Sequence, residues 1–345
     1  MNLFDLTRNL IDIPSLTGTE LEIARFLNSE LQRLGYKVEV QELTAGRANL
    51  IATTGSAARV VFSTHMDTVP PHIDSSEDDD FIYGRGSCDA KGIIAAQIVA
   101  AEELRRQGVD QIGLLFTVDE EAGSDGARLA NEHPVGESCE FLINGEPTDN
   151  KLAIGSKGSL RLRVKADGRA AHSAYPEHGD SAIDKLLDVL NDIRQVNWPT
   201  DEFFGETTCN IGILRGGVRA NVIPASAEAD LQIRLTTQSG PVKQLLESIV
   251  QPRAQIEYLS VSEPVRMLAL DGFEKCVVRF TTDIPHLTNW GTPLLLGPGS
   301  ILDAHTPHER VSKQALSEAV DHYVGLVKAL LKTQTGEMTE GVTPK

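Results

Sequence analysis

A chain of 345 residues is long for one core and comfortable for two domains. Its 41% hydrophobic and 23% charged residues are those of an ordinary globular protein. A formal net charge of −17 repels a phosphate backbone and an acidic membrane surface alike, so neither nucleic acid nor membrane is expected as a partner.

The opening stretch MNLFDLTRNLIDIP sets Asp5, Arg8 and Asp12 among apolar residues. That breaks any signal-peptide core and predicts an amphipathic helix stopped at Pro14. No apolar run approaches the roughly 20 residues needed to span a bilayer, and a cytoplasmic protein is the expectation. Thr17-Gly18-Thr19-Glu20 has the character of a capping box before a second helix with apolar Ile23, Phe26, Leu27, Leu31 and Leu34, closed by Gly35. YKVEVQEL, NLIATT and RVVFST then predict three strands, and SSEDDD a solvated hairpin tip. A helix over IIAAQIVAAEELRRQG, a buried strand IGLLFTV, a helix over SDGARLANEH and a buried strand EFLING follow. This alternation argues for an α/β fold, a mostly parallel sheet with helices on both faces.

After Gly158 the pattern changes. SLRLRVKADG and ASAEADLQIRLTT alternate apolar and polar residues, as strands with one wet face do. SAIDKLLDVLNDIR and PVKQLLESIV supply amphipathic helices, which together predict an inserted α+β domain over residues 158–266. LDGFEKCVVRFTT, TPLLLGPGS and the helix SKQALSEAVDHYVGLVKALL read as a return to the first domain, which is thus discontinuous over 1–157 and 267–345. The final TQTGEMTEGVTPK has little to bury and is expected to be disordered. Cys88, Cys139, Cys209 and Cys276 form no CxxC pair and read as reduced thiols.

Chemistry concentrates in five short segments: FSTHMD, SCDAKG, TVDEEAG, NGEPT and AHTPHE. His65 and Asp67 follow one predicted strand, Glu120 and Glu121 a second, and Glu146 a third. In an open α/β sheet ligands bind beyond the carboxyl ends of the strands, so three strand ends deliver acid and imidazole groups to one edge. With Asp89 and His305 the set suits a two-metal site of mixed nitrogen and oxygen ligands, as Zn²⁺ favours. Each residue taken singly has a plainer role. Asp89 would serve as a helix N-cap, Glu120-Glu121 as a solvated strand end, His65 as a satisfied buried histidine, and Glu146 before Pro147 as turn chemistry. Their joint occurrence argues for the metal site.

The stretches STHMDTVP, GRGSCDAKG, VDEEAGSDGA, INGEPT, AHSAYPEHGDSAI, GGVRANVIPASAEADLQIR and GPGSILDAHTPHE resemble the dinuclear zinc hydrolases that include acetylornithine deacetylase, succinyl-diaminopimelate desuccinylase and glutamate carboxypeptidase. The last stretch is most similar to the acetylornithine deacetylase branch. The resemblance implies two divalent ions, Zn²⁺ or Co²⁺, with Asp89 bridging both, His65 and Glu146 on one, and Glu121 and His305 on the other. His305 rather than His308 takes the ligand position. The charges agree: two such ions carry four positive charges, three ligating carboxylates remove three, and the net positive site activates water. The resemblance further implies that Asp67 orients His65 through its other ring N–H, and that Glu120 is general base and then acid. His172 would reach across a homodimer interface to stabilise the oxyanion, while Asn221 and Arg234, with Arg219 a weaker candidate, would contact substrate. Glu146 fits deacylases and carboxypeptidases, where aminopeptidases tend to carry Asp. The implied activity is removal of an acyl group from the nitrogen of an amino acid. The alternative is a dipeptidase or carboxypeptidase with the same metal site, acting on short peptides.

Overall fold

The computed structural model describes residues 2–332, so the C-terminal TQTGEMTEGVTPK lies outside the described residues. The chain divides into two compact units. One draws on Met1–Ile154, Met267–Cys276 and Thr282–Lys345, the other on Gly155–Arg266 and Val277–Thr281. The run LDGFEKCVVRFTT is thus shared: its Val277–Thr281 goes with the second unit, where the Val278 carbonyl accepts the Lys157 N–H at 3.1 Å.

In the first unit the sheet centres on four parallel neighbours in the order Ile112–Thr117, Val60–His65, Phe141–Asn144 and Thr292–Leu295. His65 lies opposite Thr117 and Ser63 opposite Asn144, which aligns the carboxyl ends of three strands. These strands are short continuous apolar runs because both of their faces are covered. The hairpin Lys37–Thr44 with Arg47–Thr53 is antiparallel and flanks Ile112–Thr117, its outer strand alternating toward solvent. Successive residues point to opposite faces. Phe62 meets the core built by helices Leu3–Ile11, Leu21–Arg33, Lys91–Arg106 and Lys313–Lys332, whereas Val61 meets Trp290 and the short helix Asp125–Ala130. The expected α/β class with helices on both faces is the one observed.

Two local expectations give way to tertiary partners. The capping box before Leu21 does not form, because the Thr17 hydroxyl donates to Asp67 and the Glu20 carboxylate takes Arg47. Asp89 does not cap the helix at Lys91: the N-cap is Ala90, with no side-chain hydrogen bond. The acidic run does form a hairpin tip, where Asp78 accepts the Asp80 and Phe81 N–H groups and the Tyr83 hydroxyl. All four cysteines are free. No helix among the described residues is long and apolar enough to cross a membrane.

The second unit is a four-stranded antiparallel sheet in the order Thr208–Gly216, Ser226–Leu235, Gly158–Asp167 and Gln255–Ser262. Leu160, Leu162 and Val164 alternate inward and pack with Leu186, Leu190 and Leu246 of helices Ala182–Arg194 and Ser239–Val250.

Candidate metal centre

Three of the site's segments leave the sheet at adjacent strand ends. His65 is the last residue of its strand, Glu120 and Glu121 sit in the turn after Ile112–Thr117, and Glu146 follows Phe141–Asn144. Asp89 arrives on the loop before helix Lys91–Arg106, joined to Ala90 by a cis peptide. His305 arrives on the segment after Thr292–Leu295, with a left-handed φ of 63° that few residues other than glycine adopt.

The side chains converge around Asp89. Its Oδ1 lies 3.1 Å from His65 Nε2 and its Oδ2 3.3 Å from His305 Nε2. Glu146 Oε1 flanks the first imidazole at 4.0 Å, and Glu121 Oε1 the second at 2.9 Å. One carboxylate therefore faces two imidazoles, each with a further carboxylate beside it. Among the described residues, His65, Asp89 and Glu121 offer ligand atoms that all lie within 4.8 Å of one another. The exposed His308 is tied by its backbone N–H to the Thr306 hydroxyl.

Asp67 does more than orient one ring. The His65 Nδ1 meets the Asp67 backbone carbonyl at 2.9 Å and its carboxylate at 3.5 Å, so the main chain makes the shorter contact. The carboxylate itself accepts the backbone N–H groups of Glu120 (3.1 Å) and Glu121 (3.2 Å) and the Thr17 hydroxyl (2.8 Å). It thereby fixes the turn that carries both glutamates.

Packing this many acids together has electrostatic consequences. Burial, reinforced by the charge of Glu146, pushes the Glu120 carboxyl well up. Burial likewise raises Glu146 and Glu121. Burial would raise Asp89 too, but its bonds to His305 and His65 outweigh that and hold it low. His305 is carried up to about 10 by its bonds to Asp89 and Glu121. The imidazoles thus offset the carboxylates, a task a divalent cation performs better. At Zn–N and Zn–O lengths near 2.1 Å, tetrahedral ligands lie about 3.4 Å apart, against the 3.1, 3.3 and 2.9 Å found between ring nitrogens and carboxylate oxygens. Glu146 Oε1 is buried with no hydrogen-bond partner, a lone pair that a cation would take. The donor set fits a pair of divalent ions of the nitrogen- and oxygen-binding kind.

A second tier of residues carries no motif of its own. Arg47 donates to Glu20 at 2.9 and 2.7 Å and to Asp119 at 2.7 Å. Asp119, at φ 73°, immediately precedes Glu120. Asp283 is buried behind the turn, accepts from the Thr117 hydroxyl at 2.8 Å and is raised to about 6 by burial.

Residues 61–329 match the model of peptidase family M20/M25/M40. The chain belongs to that family. Among relatives of this M20 peptidase, a peptidase M20 domain-containing protein of Schizosaccharomyces pombe is 37% identical over 338 residues, covering 94% of this chain and 84% of its own. A probable carboxypeptidase of Aspergillus clavatus is 35% identical over 374 residues, with 96% and 83% covered. The fold is also that of an M20 family metallo-carboxypeptidase from Sulfolobus solfataricus, at a TM-score of 0.76 and 17% identity over 95% of this chain and 99% of that one. These relatives carry peptidase and carboxypeptidase names rather than that of acetylornithine deacetylase.

The remaining expected residues of this M20 peptidase lie in the second unit. His172 is exposed, accepts the Ala174 N–H on Nδ1 at 3.1 Å and bridges to Val222. The Ser173 N–H donates to the carbonyl of the exposed Asn221 at 3.1 Å, so the unit brings these two segments together. Arg219 is exposed beside them, whereas Arg234 sits within the strand Ser226–Leu235, opposite Thr208 and Ser159.

Proposed function

We propose that the chain is a two-metal hydrolase releasing the C-terminal residue of short peptides, as a carboxypeptidase or dipeptidase does. The observation that carries this is the arrangement at Asp89, whose two oxygens face the two imidazoles with Glu146 and Glu121 on opposite flanks. His65, Asp89 and Glu146 would hold one ion, and Asp89, Glu121 and His305 the other, Zn²⁺ or Co²⁺. Bound there, the ions would polarise the scissile carbonyl and make water a nucleophile at neutral pH. Glu120 takes a proton from the attacking water and delivers it to the leaving amine, the general base and then acid of the reaction. Asp67 holds His65 in one tautomer and keeps the Glu120–Glu121 turn in register.

Substrate contacts fall to the second unit, residues 158–266 in this reading. Arg234 and Asn221 grip the substrate carboxylate, and His172 stabilises the oxyanion in a partner copy's site. A homodimer is supported by the edge strand Thr208–Gly216, where Ile213 (42%), Leu214 (56%) and nearby Val218 (84%) are exposed. Unpaired apolar edges of this kind invite a second copy.

A carboxypeptidase and an N-acyl amino-acid deacylase break the same bond, an amide next to a free carboxylate. They differ in the group on the acyl side. The names of the relatives favour a peptide there; the segment GPGSILDAHTPHE favours acetyl, which keeps the deacylase as the second reading. The deciding experiment assays the Zn²⁺- or Co²⁺-loaded protein on free dipeptides, N-blocked tripeptides, acetylornithine, acetylcitrulline, acetyl-lysine and succinyl-diaminopimelate. Faster turnover of the peptides supports the proposal. Preference for the acetyl compounds transfers the assignment to a deacylase, and fewer than one tightly bound ion per chain with no hydrolysis overturns both.

A further inference from the structure

Glu309 stands four residues beyond His305 in the same segment and has no role in the chemistry above. It is buried, 1% exposed, yet it makes an unusual number of bonds to one short loop. Its Oε1 accepts the backbone N–H groups of Gly86 (2.9 Å), Cys88 (3.3 Å) and Asp89 (3.2 Å). Its Oε2 pairs with Arg85, itself 2% exposed and donating to the Pro71 carbonyl at 3.2 Å. The Glu309 backbone carbonyl also accepts the Gly84 N–H at 3.0 Å, and the next residue, Arg310, ladders with Tyr83. Side chain and main chain of one residue thus hold the loop 84–89 from end to end.

Three backbone N–H groups converging on one oxygen make a concave anion site, here filled by the protein's own carboxylate. Gly86 permits it: φ is +89°, and an added Cβ would lie 2.8 Å from the Lys91 side chain. A carboxylate behind Asp89 repels it electrostatically; the buried Arg85 guanidinium balances the Glu309 charge, and the converging N–H groups fix where that carboxylate sits. The same segment places the His305 ring at Asp89 Oδ2. One stretch of chain therefore grips Asp89 twice, by its side chain in front and by its backbone N–H behind.

We propose that Glu309 is a positioning residue for the metal centre: it locks the Arg85–Asp89 loop so that Asp89 presents one oxygen to each imidazole. The proposal rests on the two-metal reading for its effect on ions, but not for the loop lock itself. In Glu309→Gln the amide oxygen still accepts from the loop, while its NH₂ opposes the Arg85 guanidinium, donor against donor. Glu309→Asp keeps the charge and withdraws it by one methylene.

Two measurements test this on the full-length protein, with folding checked by circular dichroism. Hydrogen exchange at the Gly86, Cys88 and Asp89 amides needs no metal; exchange should accelerate in Glu309→Gln and less so in Glu309→Asp. Cobalt titration followed by visible absorbance should show affinity falling 10- to 100-fold in Glu309→Gln, the range typical of residues that orient metal ligands. kcat should fall while KM stays put, with Glu309→Asp between the two proteins. Unchanged amide exchange in both variants overturns the lock whatever the metal does. Faster exchange with wild-type cobalt affinity and spectrum overturns its link to Asp89. A wild-type protein that binds no cobalt overturns the functional reading and the link together, while the exchange result still judges the lock. Should Glu309→Gln fail to fold, Glu309→Asp with wild-type exchange and affinity overturns the proposal by itself.

Discussion

Removing the guanidinium of Arg47 isolates two carboxylates at once. Glu20 has a side-chain exposure of 0% and Asp119 of 10%, and Arg47 bonds both within 2.9 Å. Arg47→Met keeps much of the aliphatic stem and deletes all three charge-assisted bonds. Glu20 retains the Gly18 N–H, and Asp119 the Asp125 N–H, so neither is wholly orphaned. Breaking a buried pair by removing one partner costs about 3–5 kcal/mol, because the survivor stays charged in a poor solvent. For a unit of this size that lowers the melting temperature by roughly 6–20 °C. Asp119 adjoins Glu120, so kcat should drop with KM little changed. Thermal unfolding measures the first effect and steady-state kinetics the second. Adding Glu20→Gln to Arg47→Met should restore about 1–3 kcal/mol, since one stranded charge disappears with it. Arg47→Met melting within about 0.5 kcal/mol of wild type would show that these carboxylates find solvent or other donors, and the reasoning would fail.

Glu120→Gln should abolish hydrolysis by about 10²–10⁴-fold, as loss of a general base does, while cobalt still binds; retained turnover would remove Glu120 from the mechanism. Mixing His172→Ala with Glu120→Ala chains, each inactive alone, should recover part of the activity if His172 serves a partner's site; proven subunit exchange without recovery refutes that role. His286 is lowered to about 4 by burial and by Arg128. Between the unfolded value near 6.5 and about 4 the unfolded chain binds the extra proton, so this histidine removes stability as pH falls through that window. Melting temperature should therefore decline less steeply from pH 6.5 to 4 in His286→Asn than in wild type, and equal slopes would contradict the assignment.

The meeting of His65, Glu120, Glu121 and Glu146 was legible because each stands at or just past the end of a short apolar strand, and a parallel sheet must send its carboxyl ends to one edge. The covering helices were legible from their spacing. What escaped was long-range. Thr17 and Glu20 look like a capping box in isolation, and only the fold reveals Asp67 and Arg47 as their partners, 50 and 27 residues away. Asp89 before a helix invites the same local reading and is likewise taken by tertiary contacts. Asp283 sits in TTDIP, a stretch with no period and no companion acid, so nothing in the sequence marks it. Helices end where propensity says only when no buried charge competes for the capping groups.

That competition explains why position 67 carries a carboxylate rather than an amide. Three donors reach its two oxygens within 3.2 Å: the Thr17 hydroxyl and the N–H groups of Glu120 and Glu121. The His65 ring N–H approaches as a fourth at 3.5 Å. A carboxylate offers about four lone-pair sites, which this set nearly fills. An asparagine would offer two and turn an NH₂ against donors already in place. The Glu120 N–H goes to Oδ1 and the Glu121 N–H to Oδ2, so either amide orientation strands one of them. The Glu120–Glu121 turn would then lose the bond that sets which glutamate faces His305. The carboxylate that steadies one imidazole therefore also distinguishes the proposed base from the proposed ligand beside it.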